Sequence, residues 1–288
     1  MGKIAQSIKF LLMPWLLKVV PPLNSAIARL RDGVVLKQAI RTTDDSLQTA
    51  TVTYAHASGS REVVLIGMQH VADEEFFYRI AELLDEEEEA GSAILYEDVR
   101  CLTAEEAAGL SGKDAEVLRI FDGVFAAQLA MARSSGLAHQ ADALPPRASW
   151  INTDIPLSDL IGSFQPSDLT SVMVSSAVAP PAPDDLPNEP NPFSEFVVDF
   201  KFRNSHVLTL AAELMWLSPK TRRVRRIILD RRNEAAFSGI RRALATHDRV
   251  VTFWGVNHLP GIGRLLKRDG FSVTDVAWNT VYRFKCFS

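Results

Sequence analysis

The chain has 288 residues, of which 47% are hydrophobic and 23% are charged, so it can bury a large core in one domain or two small ones. Its formal net charge of −4, without a basic stripe interleaved with aromatic residues, argues against nucleic acid as a partner. The two cysteines, Cys101 and Cys286, have no zinc-type spacing and imply no disulfide framework, so a reducing, cytoplasmic location is expected.

A short apolar segment lies near the N-terminus. Residues 10–17 read FLLMPWLL, follow Lys3 and Lys9, and are too few to span a bilayer. Three interpretations remain open: a helix docked on the domain, an interfacial helix that brings residues 1–23 to a membrane surface, and a signal peptide. We assign residues 1–45 to an N-terminal helical, amphipathic segment and residues 46–288 to the main domain.

The first half of the domain shows alternating strand and helix patterns. Residues 49–56 alternate and predict a strand, and residues 61–66, apolar from Val63 onward, predict a strand buried on both faces. Residues 73–89 have the apolar face of a helix, with Asp73 placed to cap its start. Residues 92–96 (SAILY) predict the next strand.

Helices dominate the middle of the sequence. Residues 103–106 match a capping box, so a helix begins there, and residues 115–134 predict a longer helix. Residues 150–160 predict a short strand or turn followed by a helix. Residues 179–192 contain six prolines and cannot form regular structure, so we predict a loop.

The C-terminal third returns to alternation. The predicted elements are helices at residues 194–216 and 222–246, a strand at 249–254, a helix at 260–268, and closing strands at 271–276 and 280–287. The whole pattern predicts an α/β fold with a sheet core flanked by helices, and its two similar ends suggest an internal duplication.

A GxxH tetrapeptide follows a strand pattern at each end of the domain. The two matches are Gly67–His70 (GMQH) and Gly255–His258 (GVNH), and each is followed by a helix pattern. A third match, Gly136–His139 (GLAH), follows a helical stretch with no strand before it, so we treat it as a chance match. Glycine permits a sharp turn and close backbone approach at the first two positions.

Both histidines lie at carboxyl ends of predicted strands, and so does Glu97. Ligands bind at that edge in open α/β sheets, so we expect His70, Glu97 and His258 to converge. Two histidines and a carboxylate are typical of an open site for a divalent metal such as Mn, Co or Zn. Without metal, the same trio suits general acid and base catalysis. Alternatively, the histidines bond to strand ends and Glu97 caps a helix or pairs with an arginine.

The same residues resemble the TraB/PrgY/GumN/TIKI family. The resemblance spans residues 49–282 and includes residues 63–70 (VVLIGMQH), 94–97 (ILYE), Arg232 with Asn233, and 251–261 (VTFWGVNHLPG). It implies a mixed α/β fold related to the erythromycin esterase-like group, and a TIKI-type metal-dependent peptidase.

The resemblance also assigns roles. It places His70, Glu97 and His258 in catalytic and metal-binding positions. Arg232 would bind a substrate carboxylate or stabilise an oxyanion. The residues that would lie around the cofactor are Gly67, Gly255 and Asn233.

Some assignments stay open. In the basic stretch RRVRRIILDRRN, helix phase does not decide whether Asp230, Arg231 or Arg232 faces inward. Asp154 is better explained as a helix cap before Pro156 than as a functional acid. The expected substrate is a peptide or a small amide or ester. The alternatives are a metal-independent, esterase-like His/Glu hydrolase and a non-enzymatic regulator that binds a peptide or signal in the same pocket.

Overall fold

The computed structural model describes residues 39–97, 102–110, 112–165, 167–168, 189–205 and 219–285. Residues 1–38 of the predicted N-terminal segment lie outside this range, as do residues 179–188 of the predicted proline-rich loop. In the described part of the chain, no helix is both long and apolar enough to cross a bilayer.

Nine strands occur in the described residues. They are β1 (Ile40–Thr42), β2 (Ser46–His56), β3 (Glu62–Met68), β4 (Val71–Ala72), β5 (Ala93–Tyr96), β6 (Ala138–His139), β7 (Ile151–Asn152), β8 (Arg249–Gly255) and β9 (Phe271–Arg283). Seven of them form one mixed sheet, in which β3, β8, β5 and β7 pair in parallel and β2 pairs antiparallel with β1, β3 and β9. The other two, β4 and β6, pair antiparallel with each other.

Helices flank this sheet. They are α1 (Glu74–Glu89), α2 (Ala104–Ala108), α3 (Lys113–Ser135), α4 (Gln140–Ala143), α5 (Leu157–Gly162), α6 (Pro192–Arg203), α7 (Pro219–Arg225), α8 (Arg231–Ala243) and α9 (Leu259–Arg268). A π-helix (Arg226–Asp230) joins α7 to α8, and a 3-10 turn (Val256–His258) joins β8 to α9. The predicted α/β fold with a mixed sheet is therefore confirmed.

The two most apolar strands lie at the centre of the sheet. Nearly every residue of β3 (EVVLIGM) and β8 (RVVTFWG) is buried, which suits parallel strands covered by helices on both faces. One side of α1 contributes Phe76, Phe77 and Ile80 to the core, and α8 and α9 contribute Ile240 and Ile262. A smaller apolar cluster joins α3, α5 and the segment around the π-helix.

The register of the parallel strands aligns their carboxyl ends. Met68 at the end of β3 pairs with Gly255 at the end of β8, and Tyr96 at the end of β5 pairs with Phe253. The residues that follow these strands therefore emerge at one edge of the sheet. This edge includes Glu97 and the two GxxH motifs that follow a strand.

Four details differ from the sequence predictions. Residues 40–42, assigned to the helical N-terminal segment, form a strand that pairs with β2. The two predicted closing strands are one strand, β9, because it pairs with β2 along its whole length. Two register shifts interrupt this pairing without ending the strand. The predicted helix at 222–246 contains the π-helix. Asp73 does not cap α1 with its side chain; its Oδ2 accepts a hydrogen bond from the Arg283 backbone N–H at 2.9 Å.

Candidate functional site

Glu97 is the anchor of a buried polar cluster at the sheet edge. It directly follows β5, and 4% of its surface is exposed. Its Oε1 accepts a hydrogen bond from Arg232 Nη2 at 2.6 Å, and its Oε2 accepts one from the Gly255 backbone N–H. Burial alone raises the pKa of Glu97, but Arg232, the nearby histidines and the Gly255 N–H outweigh burial and lower it to about 2. The carboxylate is therefore ionised at neutral pH.

Glycine at position 255 permits this close approach. A Cβ atom there would lie 3.1 Å from Glu97 Oε2, closer than most Cβ contacts. The residue has φ −47° and ψ 132°, so it needs no left-handed conformation. Close approach, rather than a sharp turn, explains this glycine. Gly67 likewise lies inside β3, where a Cβ would be 3.0 Å from both the Ala50 carbonyl oxygen and a methyl group of Leu259.

Arg232 is the centre of the cluster. Its Nε donates to Asp154 Oδ1 at 2.9 Å, and its Nη2 contacts both Asp154 Oδ2 and Glu97. Burial by itself lowers the pKa of Arg232, but Glu97 and Asp154 raise it above its ordinary value. The guanidinium is therefore a permanent cation held between two carboxyl groups. Among the described residues, one Nη1 hydrogen of its five N–H donors has no partner.

The structure decides which residue of the basic stretch faces inward. The π-helix precedes α8, and the buried face of α8 includes Arg232, Asn233, Ala236 and Ile240. Arg231 is exposed and donates to the Ser163 hydroxyl at 2.6 Å. Sequence alone could not settle the phase, because the π-helix alters the angular step between α7 and α8.

Asp154 belongs to the site, contrary to the preferred sequence interpretation. The N-cap of α5 is Pro156, and Asp154 instead pairs with Arg232. Burial raises the pKa of Asp154, which Arg232 opposes and Glu97 reinforces. A signal for this role was present: Asp154 follows β7, the neighbour of β5, and so emerges at the same edge as Glu97.

His258 faces the cluster as a neutral hydrogen-bond acceptor. Its Nδ1 lies 2.7 Å from Asn233 Oδ1, an oxygen that can only accept, so Nδ1 carries the proton. Its Nε2 lies 3.5 Å from Arg232 Nη1 and 3.6 Å from Glu97 Oε1. Burial and Arg232 lower its pKa to about 4, with Glu97 opposing the shift. His258 is buried and contributes to holding Arg232 in place.

His70 is the more open of the two predicted histidines. Its Nδ1 lies 3.3 Å from the Gln140 amide oxygen, which assigns the proton to Nδ1 and leaves Nε2 as the basic nitrogen. His70 lines one pocket together with Glu97 and His139, and electrostatic interaction with it contributes to the pKa shifts of Glu97, His139 and His258. The structure therefore brings His70, Glu97 and His258 into one neighbourhood.

The third GxxH, which the sequence analysis treated as a chance match, reaches the same place. His139 ends β6, where it pairs with Val71 of β4, and the backbone N–H of Gln140 donates to the His70 carbonyl oxygen at 2.8 Å. Gly136 ends α3 with a left-handed φ of 68°, a conformation that favours glycine. The signal was the motif itself; β6 has only two residues and is too short to predict.

A pocket of about 320 Å³ opens at this cluster. Part of its lining is polar and is formed by His70, Glu97, His139 and Arg232. The apolar wall of the pocket comes from α3, α5 and the π-helix, through Leu118, Phe121, Val124, Phe125, Leu157, Leu160 and Ile228, and α3 also contributes the polar side chains of Asp122 and Gln128. A concave, mainly apolar site with a few convergent polar groups is typical of a small-molecule pocket.

The predicted metal ligands do not form a metal site in this arrangement. Within the described residues, no group of three or more His, Cys, Asp or Glu side chains could hold a metal ion. Both Glu97 oxygens already accept hydrogen bonds, and the Arg232 guanidinium lies beside Glu97 and His258 where a cation would bind. Of the residues predicted around a cofactor, Asn233 and Gly255 instead bond to His258 and Glu97, and Gly67 packs inside β3.

Comparisons with known proteins found no matching family model, no matching curated protein and no matching solved structure.

Proposed function

We propose that this chain is a metal-independent hydrolase that cleaves an ester or amide bond next to an apolar group, with His70 as general base. The observation that carries this proposal is the hydrogen bonding of the two ring nitrogens of His70. Its Nδ1 is committed to Gln140 Oε1, so its basic Nε2 is available in a pocket that the Arg232 cation also lines. A base oriented by a neighbouring acceptor, beside a fixed positive charge, is a common arrangement for activating water.

The proposed reaction assigns one role to each group. Nε2 of His70 accepts a proton from water as the water oxygen attacks the carbonyl carbon. The carbonyl electron pair moves to oxygen, where the free Nη1 hydrogen of Arg232 stabilises the negative charge. When the tetrahedral intermediate collapses, the alcohol or amine leaves with the proton from His70. Glu97 and Asp154 act as positioning residues that hold the guanidinium.

The ordered motifs also support a hydrolase. Residues 63–70 and 251–261 frame Glu97 and Arg232 in the order that resembles the TraB/PrgY/GumN/TIKI family, and we propose membership on that basis. The metal-dependent chemistry of a TIKI-type peptidase is the part of this resemblance that the donor set does not fit. Binding of a peptide or signal without turnover remains the competing function for the same pocket.

The test measures hydrolysis by the full-length chain of 4-nitrophenyl esters from acetate to octanoate and of short peptide 4-nitroanilides. We expect turnover that survives EDTA. His70→Ala should lower kcat/KM by about 100-fold or more, because a positioned general base contributes that much. The matched control is His247→Ala, which removes an exposed histidine outside the pocket and should leave kcat/KM unchanged.

Three results would contradict the proposal. Full activity of a folded His70→Ala variant would remove His70 as the base. Loss of activity in EDTA, restored by Mn, Co or Zn, would favour the metal-dependent version instead. Saturable binding of these compounds without any turnover would favour the binding regulator.

A further inference from the structure

His139 has a single protonation pattern that the structure dictates. Its Nδ1 accepts a hydrogen bond from the Ala141 backbone N–H at 3.2 Å and so caps the start of α4. Burial, together with the charge of His70, lowers the pKa of the ring, and Asp142 only partly opposes this. A neutral imidazole that accepts at Nδ1 carries its proton on Nε2. His139 therefore presents an uncharged N–H donor.

That donor is buried without a partner. Only 3% of His139 is exposed, and its Nε2 has no hydrogen-bond partner among the described residues. A buried polar group left unsatisfied is costly, and most buried polar groups in native proteins have a partner. His139 lines the 320 Å³ pocket and also a second pocket of about 230 Å³ beside Arg133 and Asp142, and its Nε2 has almost no exposed surface. A ligand in the first pocket can supply the missing partner when the ring turns toward it.

The surroundings of His139 define the ligand. Its ring makes an edge contact with Phe125, at 5.0 Å between ring centroids, and Phe121, Val124 and Leu157 continue the apolar wall. Arg232, the cation that lines the same pocket, is already balanced by Glu97 and Asp154. An uncharged donor at an apolar wall favours a neutral oxygen acceptor over an anion.

We infer that His139 Nε2–H donates a hydrogen bond to the neutral carbonyl oxygen of the ligand, while the wall formed by α3 and α5 holds an aromatic or short acyl group next to that carbonyl. This inference rests on the proposed function and narrows its substrate class to aryl or alkyl carbonyl compounds. It makes His139 a second donor, beside Arg232, for the oxygen that becomes negative during hydrolysis.

The experiment compares two probes that differ in one group. Butyrophenone has a carbonyl where butylbenzene has a methylene, so the ratio of their dissociation constants reports the contribution of the carbonyl hydrogen bond. The ratio is measured by equilibrium dialysis on the full-length protein and its variants. Neither probe can be hydrolysed, so the result does not depend on turnover.

Two variants separate the two nitrogens of His139. His139→Asn keeps an acceptor near the position of Nδ1 for the helix cap and loses the distal donor. His139→Gln places an amide N–H near the position of Nε2. We expect His139→Asn to reduce the preference for butyrophenone by about tenfold, the typical effect of a buried hydrogen bond, and His139→Gln to restore most of it.

A measurement on the unmutated protein covers the case in which the variants do not fold. In the ¹H–¹⁵N spectrum of labelled histidine, the Nε2–H proton of His139 should move downfield with butyrophenone and stay in place with butylbenzene. An unchanged preference in folded His139→Asn, an unmoved resonance, or failure of both probes to bind would overturn the inference. Ester turnover that depends on His70, combined with any of these results, would leave the proposed function standing without this subsite.

Discussion

The two GxxH motifs that end a strand place chemically similar histidines in opposite situations. His258 is buried, donates from Nδ1 to Asn233, and directs Nε2 toward the Arg232 and Glu97 pair. His70 is only partly buried, donates from Nδ1 to Gln140, and lines the pocket. Both are oriented by an amide oxygen, yet only His70 has its second nitrogen available to a ligand.

The two histidines differ because the polar groups around His258 already have hydrogen-bond partners, whereas several around His70 do not. Around His258, two carboxyl groups, a guanidinium and a backbone N–H satisfy one another except for one Nη1 hydrogen of Arg232, so this side mainly fixes the geometry of the site. Around His70 and His139, the Nε2 atom of each ring has no hydrogen-bond partner among the described residues, and the apolar wall of the pocket lies beside them. A nearly saturated cluster that positions charge therefore lies beside an unsaturated one that meets a ligand, and Arg232 belongs to both because it also lines the pocket.

Removing the central cation should have the largest effect on the saturated side. Arg232→Leu leaves Glu97 and Asp154 buried without a counter-charge. Breaking a buried ion pair from one side costs about 3–5 kcal/mol, so we expect a decrease of that size in the free energy of unfolding, measured by urea titration.

The neighbouring Arg231→Leu is the matched control for this change. Arg231 lies on the exposed face of the same helix, and its one side-chain hydrogen bond among the described residues is to the Ser163 hydroxyl. We expect a change of about 0.5 kcal/mol or less, as for most surface substitutions. Equal losses for the two variants would mean that the cluster does not hold the fold as described.

The neutral state of His258 makes stability depend on pH. Its pKa falls from 6.5 to about 4 in the folded protein, so the unfolded chain takes up a proton first as the pH drops. The contribution of neutral His258 to the free energy of unfolding is complete above pH 6.5. It is lost as the pH falls toward 4, by about 3 kcal/mol at most. Glu97, whose pKa is about 2 instead of 4.5, adds a separate loss at lower pH.

Urea titrations from pH 7 to 4 measure this dependence directly. In this range we expect His258→Gln to flatten the curve relative to the unmutated protein. His247→Gln, at an exposed position, serves as the control and should leave the slope unchanged. If the His258 variant keeps the full slope, some other group is responsible for it.

The sequence was most informative where a physical pattern extends over many residues. The apolar run of β3 predicted a strand buried on both faces, and the run of β8 predicted a strand. The strand-end rule predicted that His70, Glu97 and His258 converge. Strand ends are predictable because the same register that buries a strand also aligns its carboxyl end with those of its neighbours.

The partners of those residues were harder to predict. The metal interpretation treated Glu97 as a free ligand, whereas Arg232 and the Gly255 N–H already bind it. Arg232 itself was ambiguous because a π-helix changes the helix phase just before it. His139 was dismissed because a two-residue strand leaves almost no sequence signal. Side-chain pairing across distant elements depends on packing that periodicity does not encode.

The smallest effect concerns the orientation of His70. Gln140 is 2% exposed and contacts His70 twice, through its amide oxygen at 3.3 Å and its backbone N–H at 2.8 Å. Gln140→Met keeps the backbone contact and a similar volume but removes the acceptor for Nδ1. We expect kcat to fall about tenfold with KM unchanged, because a misoriented base lowers the rate of proton transfer without altering ground-state binding.

Gln140→Glu restores an acceptor at that position and should recover most of kcat. Equal losses in both variants, or a change in KM alone, would mean that Gln140 shapes the pocket without orienting the base.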